Sequence, residues 1–114
     1  MLRVVTILML LNAAVFLLGA VEHAGVAVGP LQEPQIVPAA IVETLCAAAL
    51  IWGTFAKARW ASLAGNLVAI TGVAIGMVAL ALGAGPRTAS NDIGHAIMML
   101  LAAAALGLLA AEGH

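Results

Sequence analysis

Four long apolar stretches, at about 4–28, 36–56, 60–84 and 92–111, make up most of this chain, and only short polar breaks separate them. Each approaches or exceeds the roughly 20 residues that a helix needs to cross the hydrocarbon core of a bilayer. A segment in lipid has no water to satisfy its backbone, so it must bond internally as a helix. The expected fold is therefore an all-α integral membrane protein, with four transmembrane helices in an up-down bundle with short loops, as a single domain over 1–114. Composition supports this: 65% of the residues are hydrophobic and 8% charged, and mean hydropathy is +1.20. A soluble domain of this length would carry about three times that share of charge.

The breaks have loop chemistry. Gly29-Pro30 and Glu33-Pro34 end the first stretch, Lys57-Ala58-Arg59 is a minimal turn, and Gly85-Pro86 opens a break that runs to Asn91. Ser90, Asn91 or Asp92 is placed to cap the fourth helix. Arg3 before an apolar run also fits a signal peptide, but the run is long and no A-x-A site follows it.

The second stretch must carry an acid. Between Glu43 and Lys57 lie about 13 residues, too few to span. Glu43 therefore falls inside the helix, roughly 9 Å below the surface if the span starts near Val37. An isolated carboxylate at that depth is costly, so it should be protonated, paired or facing a wet cavity. His23, His95 or Arg87 is its expected partner, and a neutral Glu43 bonded to Asn12 or Asn91 would instead serve only to lock the bundle. Alternation of the spans brings Glu22, His23, Glu43, Asp92 and His95 to one face of the membrane. Arg3, Lys57 and Arg59 fall at the other face, against Arg87 alone here, so both termini are expected in the cytoplasm of a plasma or inner membrane. Trp52 and Trp60, near the same turn as Lys57 and Arg59, fit an interfacial position.

In the third stretch Gly65, Ala69, Gly72, Gly76, Ala79 and Gly83 recur at gaps of three and four. Such a small-residue face lets helices approach closely, which points to tight pairing, a homo-oligomer or docking onto a larger membrane complex. The lipid bilayer is the other partner, and nucleic acid is excluded by having only four basic residues. Cys46 is the single cysteine and reads as a packing residue.

The first functional reading is a polar site at the outer side, with Glu43, His95 and His23 central and Glu22 and Asp92 nearby, that binds or transports a proton, cation or small polar solute. A second is a non-catalytic accessory or assembly subunit. A third is a metal or haem protein using His23 and His95, for which mixed imidazole and carboxylate ligands suit zinc, iron or manganese. No cofactor is expected from a motif. Nucleophilic triads, phosphate loops and nucleotide fingerprints are absent from the sequence, which leans against an enzyme.

In size and span count the chain resembles the small multidrug-resistance transporters. That family resembles a dimer built around an acid in the middle of its first span. Here the first span holds Asn12 and no acid at that depth, and the glycine-rich third-span motif is unmatched, so the resemblance implies no site residue.

Overall fold

A computed structural model describes residues 2–26 and 35–112. Within them the chain forms α1 (Leu2–His23), α2 (Val37–Phe55), α3 (Arg59–Ala81) and α4 (Ala89–Glu112), each long and apolar enough to cross a membrane. Each helix packs on two neighbours, in the ring order α1, α2, α3, α4. Contacts fix the directions: Gly19 lies against Glu43 and Gly53 against Met9, so α1 and α2 are antiparallel. Cys46 lies against Val68 and Ser62 against Gly53, so α2 and α3 are too.

The helix ends follow local chemistry. α1 stops at His23, short of the expected end near 28, because Gly25 takes φ +107°. Gly25 N–H then donates to the Glu22 carbonyl at 3.0 Å and Val26 N–H to Val21 at 3.2 Å, the paired bonds of a left-handed helix cap. The same pair of bonds closes α3 around Gly83, at φ +88°, with Gly83 bonding Leu80 and Ala84 bonding Ala79. The first break, with Gly29, Pro30, Glu33 and Pro34, lies outside the described residues, as does the expected end of the first span. α4 begins earlier than expected. Thr88 caps it, its hydroxyl accepting the Asn91 N–H at 3.1 Å, so Ser90, Asn91 and Asp92 lie within the first turn instead of capping it.

The core is a shaft of apolar side chains along the bundle axis, among them Val5, Met9, Phe16, Ala47, Leu50, Ala69, Val73 and Leu109. Backbones approach closely at the α2–α3 seam. A methyl group added at Gly53 would stand 2.7 Å from the Ala61 carbonyl oxygen, and one at Gly65 would stand 2.7 Å from that of Ala49. Gly72 lies directly against the Cys46 thiol. At the hairpin end, Trp52 and Trp60 meet edge to face with ring centroids 5.6 Å apart. There Arg59 donates to the Leu109 carbonyl at 2.9 Å, putting a cation on the C-terminal turns of α4.

Candidate functional site

The end of the bundle away from that hairpin is polar inside. It collects the last turn of α1, the start of α2, the end of α3 and the start of α4. Glu43 sits on the buried face of α2 with Ala40, Cys46, Ala47 and Leu50, so helical periodicity alone turns its carboxyl inward. His95 does the same on α4 with Asn91 and Met98. Their helices lie diagonally across the ring, and the two side chains meet over its axis, His95 Nε2 standing 3.9 Å from Glu43 Oε1. Glu43 is 5% exposed and His95 6%. That separation exceeds a direct hydrogen bond and becomes an ion pair when His95 carries a proton.

α1 supplies the third wall. Gly19 leaves room for the Glu43 carboxyl: a methyl group there would lie 2.7 Å from Oε2. One turn on, His23 Nε2 stands 3.1 Å from Asn91 Oδ1, a bond in which the ring nitrogen donates, tying the end of α1 to the start of α4. Deeper in the bundle Asn12 Nδ2 donates to the Met98 carbonyl at 3.1 Å, joining the same two helices.

A cavity of about 280 Å³ opens beside the pair. Its polar lining residues are His23, Glu43, Asn91 and His95, and the remaining walls are apolar or glycine, including Phe16, Val42, Val73, Ile75 and Met98. Val42 and Ile75 are exposed, and so are Pro38 and Ala84 nearer the end of the bundle, so the cavity opens along the α2–α3 side from that end inward. Gly72 and Gly76 line the cavity from α3, and a methyl group added at Gly76 would meet nothing within 4 Å.

Of the residues singled out in the sequence, the cavity gathers Glu43, His95 and His23. Glu22 is buried on α1 but does not line it. Asp92 lies at the surface, where its carboxylate pairs with Arg87 at 3.3 Å, so the expected Arg87 partner of Glu43 faces Asp92 instead. Gly65 and Ala69 are buried within the bundle, while Gly83 caps α3. Two features escaped the sequence reading. Asn91 bonds His23 instead of Glu43, and Gly19 cradles the carboxyl; the spacing of Asn12, Phe16, Gly19 and His23 turns this face of α1 toward other helices without showing what stands opposite Gly19.

Among the described residues, no group of three or more His, Cys, Asp or Glu side chains is close enough to hold one metal ion. Comparison of the chain with protein-family models, curated proteins and solved structures finds no match. The site's own chemistry is what bears on function.

Proposed function

We propose that this chain is a small polytopic membrane protein that binds a small molecule at the Glu43–His95 pair, from the side of the membrane opposite the Lys57–Arg59 turn. The observation that carries the reading is a buried acid and imidazole, 3.9 Å apart, beside a cavity of about 280 Å³. A carboxyl needed only to lock helices together would need no cavity beside it. Ionisable side chains within a span are expensive to keep and mark ligand or proton pathways by default. The bundle's long dimension of 42 Å matches a bilayer with its headgroup regions, about 40–45 Å. The basic residues Arg3, Lys57 and Arg59 at the hairpin end, against Arg87 at the site end, support a cytoplasmic hairpin and an outward-facing site.

Access to the Glu43 carboxyl tests this directly. In lipid nanodiscs, dicyclohexylcarbodiimide, an apolar reagent that adds to protonated carboxyl groups, is expected to leave one adduct on Glu43, located by peptide mass spectrometry and absent from Glu43→Gln. A folded protein modified only at Glu22 or Asp92, or not at all, would overturn the reading.

A further inference from the structure

The shape of the site says what kind of molecule it takes. Resting on the binding role proposed above, we infer that the ligand is an uncharged long-chain amphiphile with a hydroxyl head, drawn sideways from the bilayer through the gap between α2 and α3.

The head chemistry follows from the pair. An oxygen placed about 2.8 Å from both His95 Nε2 and Glu43 Oε1 is reachable, since their 3.9 Å separation subtends roughly 90° at that point. A hydroxyl is the simplest group that can accept from one side and donate to the other. With a single titratable proton between them the two partners are neutral overall and balance neither an ammonium nor a carboxylate head, and the third ionisable group on the wall, His23, bonds Asn91. Arg87, the cation at this end, is engaged by Asp92 at the surface.

The tail follows from the walls. The cavity holds nearly twice the volume of a roughly 150 Å³ apolar cavity that takes benzene, room for a head and its first carbons. A second groove on the α2–α3 seam, apolar but for Thr71 and the Cys46 thiol, shares Val42, Gly72 and Ile75 with the cavity and continues along Leu45, Leu67 and Val68. That direction leads away from the site end and toward the middle of the bundle. A tail lying there points toward the bilayer centre while the head stays at the depth of Glu43, the orientation an amphiphile already has in its leaflet. Gly76 keeps the passage open, because any larger side chain would project into space that is clear within 4 Å.

Protection of Glu43 from carbodiimide tests the head. In nanodiscs, 1-dodecanol is expected to slow modification at least fivefold, and dodecanoic acid and dodecylamine to slow it less than twofold. Protection by the acid or the amine as strong as that by the alcohol overturns the head chemistry, and no protection by dodecanol overturns the proposal while the labelling itself preserves the binding role. Absence of labelling would remove both. The route has its own test: Gly76→Leu is expected to slow labelling by dicyclohexylcarbodiimide at least tenfold while keeping the helical circular dichroism and thermal midpoint of the parent. An unchanged rate, or equally fast labelling of the parent by a water-soluble carbodiimide, overturns lateral entry. Should Gly76→Leu fail to fold, Ile75→Trp, on the exposed rim, reads the same property.

Discussion

The Glu43 carboxyl is held by a missing side chain as much as by a present one. Gly19 has no Cβ, and the acid occupies the space that one would fill, 2.7 Å from the carboxyl oxygen. Gly19→Ala forces the carboxyl to move. Because the displaced atoms are the far end of a flexible side chain, the expected loss is near the low end for overpacking, about 1 kcal/mol, seen as a lowered thermal midpoint in detergent. Carbodiimide labelling of Glu43 should change in rate in the same variant, whereas Ala14→Ser, on the exposed face of α1, should change neither. The place of Glu43 within the second helix was legible in the sequence because Lys57 follows the end of the apolar run, and counting back leaves the acid inside. Its surroundings were less so. Asp92 and His95 are one turn apart and looked like parts of one site, but His95 shares the buried stripe of Asn91 and Met98, whereas Asp92 is rotated off it and pairs with Arg87 at the surface.

At the scale of elements, the α2–α3 pair shows two uses of glycine that the sequence pattern ran together. Gly65 is spent on close approach to α2, and Gly76 faces open space beside the cavity. The spacing of small residues marks both in the same way, because periodicity reports a face and not what stands opposite it. Gly65→Ala should therefore destabilise by about 1–3 kcal/mol, since the Ala49 carbonyl is backbone and can yield only if the helices separate. Gly76→Ala should leave the thermal midpoint within error of the parent. A comparable fall in both would place a packing partner at Gly76. The turn between these helices stores strain at Lys57, a non-glycine residue at φ +54°. Lys57→Gly relieves a conformation that costs an L-residue about 1–2 kcal/mol, and should raise the midpoint of thermal unfolding.

For the whole molecule, the polar and apolar ends of the bundle are set by the same alternation that sets topology. Four spans joined by short breaks put the α1 and α3 C-termini with the α2 and α4 N-termini, so residues as distant in sequence as His23 and Asn91 meet at 3.1 Å. That much of the architecture was legible from the apolar runs and their breaks; the diagonal meeting of Glu43 and His95 was not, because ring order depends on packing. Orientation rests on fewer charges. Arg59 is already tied to the Leu109 carbonyl and Arg87 to Asp92, but both bonds form within their own end of the bundle and leave the charge asymmetry intact. Short cytoplasmic connections retain basic residues, so the hairpin with Lys57 and Arg59 should face the cytoplasm together with the Arg3 and Glu112 ends of the outer helices. A green fluorescent protein fused after His114 should then fluoresce, and alkaline phosphatase fused at the same point should be inactive. Replacing Lys57 and Arg59 by Gln while introducing Lys at Thr88 and Ser90 reverses the bias and should give a mixed or inverted population. An active phosphatase fusion on the parent chain would turn the bundle over and open the Glu43–His95 cavity toward the cytoplasmic leaflet, with its route between α2 and α3 unchanged.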